Sequence, residues 1–573
     1  QLIGSATTTP TFDNSSGNIN VISDGSYNLT LQGVSGSYSN LTLDGASTSS
    51  IYISGGADPT LGAWEDSSII LTNSPSPYTL LTNFPASIGT LGTADLGYNT
   101  GSSSFTSSYI ATGGTLGNST FIADPLNTGN NTSLYRVTSS ITVPTGTTMT
   151  VEDGAVLKFN AGLLLYVSGS LIVGDGDGLG AKAVFTSILD DSVGGDTNGD
   201  TNTTSPAWNN WNSIRANTGS VIDIDNATIS YNSYGVYHYN VQSTSLDISN
   251  TDFHDIYYYG LQLQLFSAQS LTMNLDNVSF TDTGVNTSYH GIYADIDTTA
   301  SLGGTWNNVT LNNIGGSGIY INDSSTSAVD PTISGLTIAD SGTIGVHGVQ
   351  LLGSATTTPT FDNSAGNSNV ISGGTYNLTL QGVGGSYSNM TLDGATSSSL
   401  YFSNNANPSA FNGSIITLSN SPSPYTLVGM SLPAAVIVTP YQAGTGLVQD
   451  YVIFSGALIN DLTLTANPLG GTFWRVTSDL DVPSGRTLTI EANTLIKFDN
   501  SRYLDVLSGG TLNVNGTIGN EVIITSFTDN SVGTPNTALI GLWRGVRFNS
   551  GAAGGTVNYL TTWYGLNGVY ISN

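Results

Sequence analysis

There is no cysteine in the 573 residues. Disulfides, thiolate nucleophiles and Cys-based metal centres are therefore excluded, and the absence suits a prokaryotic surface protein better than a small stapled secreted domain. Positive charge is nearly missing as well. Ten Lys and Arg stand against 39 Asp and Glu, a formal net charge of −29. A nucleic-acid binder needs a basic footprint, which this composition denies, and anionic membranes are disfavoured for the same reason. Charge of either sign is scarce at 9 % of residues, against ~25 % in ordinary soluble domains. Apolar runs such as Ala161–Val167 are far too short to span a bilayer. No stretch sustains a period near 3.6, so no helix is expected. No signal peptide is visible, and Gln1 is compatible with the removal of one.

What is abundant is Gly, at 70 residues, with Ser, Thr and Asn. Aromatic and β-branched residues are plentiful too, so the chain reads as all-β and not as a disordered tract. Short alternating runs bounded by turn formers, such as those at Asn28–Leu31, Asn40–Leu43 and Ile51–Ile53, carry the strand signal.

The text of the chain repeats. GSATTTPTFDN at Gly4–Asn14 returns unchanged at Gly353–Asn363. Arg136, Lys158 and Arg215 recur as Arg475, Lys497 and Arg547 in matching contexts. The chain is about one and two-thirds copies of a long unit, which points to a solenoid before any single globular fold. The expected organisation is β-helix coils of the first copy over 1–80, a divergent and looser segment over 81–135, and coils over 136–349, single-copy from about 241. The second copy gives coils over 350–427, a divergent segment over 428–474 and coils over 475–573 with an uncapped C-terminal end. Open ends on a solenoid imply a longer parent protein or neighbouring chains.

The run TLTIEANTLIKF followed by GGTLNVNGTIGNEVIITS resembles the right-handed parallel β-helix, pectin-lyase-like repeats of large prokaryotic surface proteins. The resemblance covers about 136–240 and 475–573 well and implies a fold more than a function. Enzymes on that fold that cleave polysaccharides use a basic residue beside Ca²⁺ and acid groups. Here six of the ten basic residues pair between the copies, which favours structural roles for them.

Residue spacing gives the same fold independently. Asn226, Asn250, Asn277 and Asn308 each precede an apolar residue by three, at steps of 24, 27 and 31, with Gly335 continuing the series. Gly followed by an apolar residue recurs at Gly235, Gly260, Gly291, Gly318 and Gly345. Two columns advancing together mark one coil per ~24–31 residues, each adding one strand of ~4.8 Å to every sheet. An elongated rod of about 23 coils, ~110 Å long, is expected. The apolar column Val236, Leu261, Ile292, Ile319, Val346 then points inward, and the next residues, Tyr237, Gln262, Tyr293, Tyr320 and His347, point outward.

Several constellations bear on function. The Asn column is read as a ladder of side-chain amides holding a turn from coil to coil. The aromatic column Tyr237, Tyr293, Tyr320 and His347 is read as stacking on itself, with sugar rings or a second fibre as the alternative partner. Asp191, Asp196, Asn198, Asp200 and Asn202 alternate around glycines as hard-cation ligands do, making Ca²⁺ the candidate cofactor against a solvated turn. Sequons at Asn28, Asn40, Asn118, Asn377, Asn389 and Asn412 are glycosylation candidates. Asp223 with Asp225, and Asp295 with Asp297, put carboxylate pairs on one strand, the pattern glycoside hydrolysis needs. The four histidines show no metal-ligand spacing and read as surface residues. The expectation is a non-catalytic structural or adhesive component of a prokaryotic cell surface or extracellular filament, self-associating through its coils. The alternative is a carbohydrate-binding or polysaccharide-degrading β-helix protein, tailspike- or lyase-like. No nucleic-acid partner and no membrane span are expected.

Overall fold

A computed structural model describes residues 1–5, 7–12, 17, 19–34, 36–38, 41–54, 69–81, 104–105, 109–124, 134–176, 178–201, 203–239, 245–339, 347–362, 366–409, 416–430, 442–443, 451–466, 473–532 and 542–572. Among them there is no helix, and the strands form an all-β parallel solenoid. Among the described residues no helix is long and apolar enough to cross a membrane. The chain divides into two units, Gln1–Tyr293 and Ala294–Asn573.

In the first unit each full coil contributes one strand to each of three parallel ladders. One ladder runs through Leu164–Val167, Ser213–Ala216, Tyr234–Tyr239 and Tyr259–Leu265. The next runs through Ser170–Val173, Val221–Asp225, Ser245–Ser249 and the first half of Ser270–Thr283. The third joins Val156–Phe159, Ala183–Ser187, Ala227–Ser230, Asp252–Ile256 and the second half of that same strand. The registers set Val236 against Leu261, Leu246 against Met273 and Phe253 against Phe280, so the three ladders advance at the pace of the Asn and Gly columns. All six side chains are buried. Identical faces stack coil on coil, as with the rings of Phe253 and Phe280, 4.9 Å apart and nearly parallel.

The Gly column has a steric cause. A Cβ on Gly260 would meet Phe280 Cδ1 at 2.3 Å, and one on Gly235 would meet Phe253 Cδ1 at 2.7 Å. Each glycine lets its strand start against the aromatic core of the facing ladder. In the second unit Gly318 and Gly348 stand the same way against Ile338 and Ile371.

The second unit follows the same plan. Ile319–Asp323, His347–Leu352, Tyr376–Gln381, Ser398–Ser403, Ser423–Val428 and Tyr451–Ala457 form one ladder. Trp306, Ile333, Phe361 and Tyr387 stack in a second, and Leu311, Ile338, Ile371, Leu392 and Leu418 in a third. The two copies share interior details. Ser49 bonds Thr79 at 2.8 Å, and Ser398 bonds Thr426 at 2.8 Å. Phe159 stacks on Trp211, and Phe498 on Trp543.

One expectation needs correction. Gly345 and Val346 of the expected inward column lie outside the described residues. Val349 stands opposite Ile319 and is fully buried, so that coil is longer than the expected column allowed. The described parts of 81–135 and 428–474 also belong to the ladder. Tyr109–Thr115 pairs in parallel with Ser76–Leu81 and Leu134–Val143, and Tyr451–Ala457 pairs with Ser423–Val428 and Phe473–Val482.

Candidate functional site

The acidic loop leaves the third ladder of the first unit after strand Ala183–Ser187 and folds over its outer face. Asp190, buried, anchors the turn by accepting from the Thr186 hydroxyl at 2.7 Å and the Ser192 amide at 3.1 Å. Asp196 then accepts from the amides of Gly199 (2.7 Å) and Thr201 (2.8 Å), and Asp200 from those of Thr203 and Thr204 (both 3.0 Å). The Thr204 hydroxyl, and after it these amides, hold Asp200 below the usual carboxylate range.

The curl brings Asp191, Asp196 and Asp200 together, with ligand oxygens all within 4.8 Å of one another. Two oxygens on opposite sides of a Ca²⁺ ion at ~2.4 Å are separated by about that span. Asp191 is the unusual member. Both its carboxylate oxygens are shielded from solvent and receive no hydrogen bond. Burial, then the neighbouring Asp196, push its pKa up. Asn198 is committed elsewhere. Its amide donates to Asp200 Oδ2 and Thr204 Oγ1, both at 3.1 Å, and its Oδ1 accepts from the Asp200 amide at 3.3 Å. Asn202 lies outside the described residues.

Sequence reasoning paired Lys158 with Lys497 but missed its burial under the acidic loop. Alternation along Val156–Phe159 aims it away from the core, yet it is 0 % exposed because the loop covers it. Its ammonium donates to the Gly195 carbonyl at 2.7 Å. Burial pushes its pKa down to about 8, against the pull of Asp190, Asp191 and Asp196. Lys497 does the same in the second copy, donating to the Asp529 carbonyl at 2.6 Å. Thr525 and Ser531 hold Asp529 as Thr186 and Ser192 hold Asp190. The duplicated arginines are also pinned. Arg136 reaches Asn160 and the Thr197 carbonyl, while Arg475 grips Asp499 with two bonds of 2.9 and 3.0 Å.

No protein-family model, no curated protein and no solved structure matches the chain. Function has to be argued from its own geometry.

The Asn column sits at positive φ throughout: Asn226 at 50°, Asn250 at 48°, Asn277 at 56° and Asn308 at 52°, with Gly335 at 66°. Asn and Gly are the residues that tolerate this left-handed corner. Asn277 Nδ2 donates to Asn250 Oδ1 at 2.9 Å, and Asn250 Nδ2 to Asp225 Oδ1 at 2.8 Å. Asn226 departs from the ladder and donates to the Leu179 carbonyl, while Asn308 accepts from Asn367.

Asp225 is thus a turn anchor, also accepting from Ser249 at 2.5 Å, and it is buried while Asp223 is exposed. Asp295 and Asp297 accept from Asn322 and Ser324 of the following coil.

In the aromatic column Tyr237 pairs with Gln262, and Arg215 lies over its ring at 5.2 Å. Tyr293 stacks on Tyr259 at 4.8 Å. His347 does not follow Tyr320. Gln350 is opposite Tyr320, and His347 pairs and stacks with Tyr376, 5.4 Å away. The cause is the lengthened coil before it. His238 and His290 are buried, which corrects their reading as surface residues. Burial pushes His238 down to about 4.

Two sequons are also corrected. Asn28 and Asn377 are buried, and both amide hydrogens of each are spent on backbone carbonyls: Asp24 and Asp44 for Asn28, Gly373 and Asp393 for Asn377. A glycan would sever those bonds. Asn118 is exposed and accepts from the Thr148 amide, and Asn389 is half-buried in a left-handed turn. Asn40 and Asn412 lie outside the described residues.

Proposed function

We propose that the chain is a non-catalytic structural and adhesive component of a prokaryotic cell surface or extracellular filament, working through stacked coils. One observation carries this reading: the groups that chemistry would need are spent on holding coils together. Arg475, Lys158 and Lys497 are pinned to neighbouring coils or loops, and Asp225, Asp295 and Asp297 accept bonds from the next coil. Sedimentation of the purified chain across a concentration series tests it. Growing assemblies are expected, and a strictly monomeric chain that also fails to adhere to any surface would overturn the reading.

The acidic loop is proposed to hold Ca²⁺ through Asp191, Asp196 and Asp200, the orphaned carboxylate of Asp191 being the feature that favours it. The ion would neutralise the cluster and fasten the loop. At 10 mM Ca²⁺ and a Kd near the ~1 mM of extracellular modules, the gain is about 1.4 kcal/mol. Asp191→Asn should abolish that gain and, without Ca²⁺, stabilise the chain by removing a repelled, unbonded charge. A calcium-dependent Tm in the variant equal to that of the parent would contradict the site.

A further inference from the structure

Nine of the 28 tyrosines fall between Tyr231 and Tyr293, about three times the share that so short a stretch would hold by chance. The concentration is local and not a property of the composition. Six of them form one continuous surface in the first unit. Tyr234 stacks on Tyr237 (4.9 Å, 17°) and Tyr258 (4.8 Å, 26°), and Tyr259 on Tyr293 (4.8 Å, 30°). Tyr289 stands across the row, at right angles to Tyr258 and Tyr259. All six are half-buried.

Stacking occupies ring faces of Tyr234, Tyr237, Tyr258, Tyr259 and Tyr293 within the row, while Tyr289 meets its neighbours edge to face. With faces stacked on one another, the groups left to a ligand are ring edges and phenol hydroxyls, carried on coils ~4.8 Å apart. Among the described residues, none accepts a hydrogen bond from the hydroxyls of Tyr234, Tyr258 or Tyr289, while Tyr259 bonds the Ser288 carbonyl. His290, which stacks on Tyr293, is buried. The cation in contact with them, Arg215, is held over Tyr237. Such a surface suits a ligand that is uncharged, carries hydroxyls at a short regular repeat and has apolar C–H edges. An anionic polymer finds little attraction here and a net charge of −29 around it.

We propose that this face binds a neutral polysaccharide lying across the coils, one sugar unit per coil, with phenol hydroxyls donating to sugar oxygens. The proposal rests on the adhesive reading above and names its partner and place. Affinity electrophoresis of the full chain through gels containing a soluble β-glucan, a galactomannan or polygalacturonate tests it. Retardation is expected in at least one neutral gel and not in polygalacturonate. The triple variant Tyr234→Phe, Tyr258→Phe, Tyr289→Phe keeps the rings and should weaken binding at least tenfold with Tm unchanged. Neutral-gel binding that survives the triple variant would overturn this site and leave adhesion standing. Absence of retardation in every gel would overturn glycan binding, and if the triple variant then lost self-association, the face would belong to a second copy.

Discussion

At the scale of single residues, the corners of the coils decide which side chains are allowed. Asn250 combines a left-handed φ with two ladder bonds, to Asp225 and from Asn277. Asn250→Ala should cost about 3–4 kcal/mol, from ~1–2 for the corner and ~1 for each of the two bonds. Asn250→Gly should recover the corner part, so its denaturant midpoint should lie between those of the parent and the Ala variant. His238 sets a pH dependence. Its folded pKa is about 4 against 6.5 in the unfolded chain, so the unfolded state binds the proton first. The stability is present in full above about pH 6.5 and is lost as pH falls through about 4, a total of ~3 kcal/mol for a shift of this size. His238→Leu, facing Leu263 of the next coil, should flatten the dependence of ΔG on pH in that window. Residue patterns spoke plainly about the column, since Asn and Gly at one corner have a shared backbone cause. They misled about Asn28 and Asn377, because a sequon spans three residues while the Asp44 and Asp393 carbonyls lie 16 residues away.

At the scale of the coil, the alternation of buried and outward residues was readable where the step stayed regular. Val236 and Leu261 are opposite one another and fully buried. Spacing failed where one coil lengthened, and the series slid to Gly345 when Gly348 was the member facing the core. Lys158 was unreadable for a different reason. Its strand alternates correctly, but its cover comes from a loop some 37 residues on. The glycine column makes a sharper prediction. Gly260→Ala drives a methyl into Phe280 and should cost about 1–3 kcal/mol as overpacking. Adding Phe280→Leu should return part of that loss, measured as a double-mutant cycle in denaturant. Additive losses would mean that the ring is not what the glycine serves.

At the scale of the whole molecule, stability in a solenoid is a sum over coils and their nearest neighbours. The text repeat announced that economy of design, and the two copies keep it down to Lys158 with Gly195 and Lys497 with Asp529. Where the copies diverge, one bears the acidic loop and the other does not. The sequence showed that difference but not that three of the five candidate ligands converge, with Asp191 left without a donor. The central claim is that parallel coils stack beyond the single chain. Electron microscopy of the native material, with diffraction along its long axis, tests that most directly. The account predicts filaments with an axial spacing near ~4.8 Å, the parallel-strand repeat continued from chain to chain. Discrete particles at every concentration, with no such repeat, would contradict it.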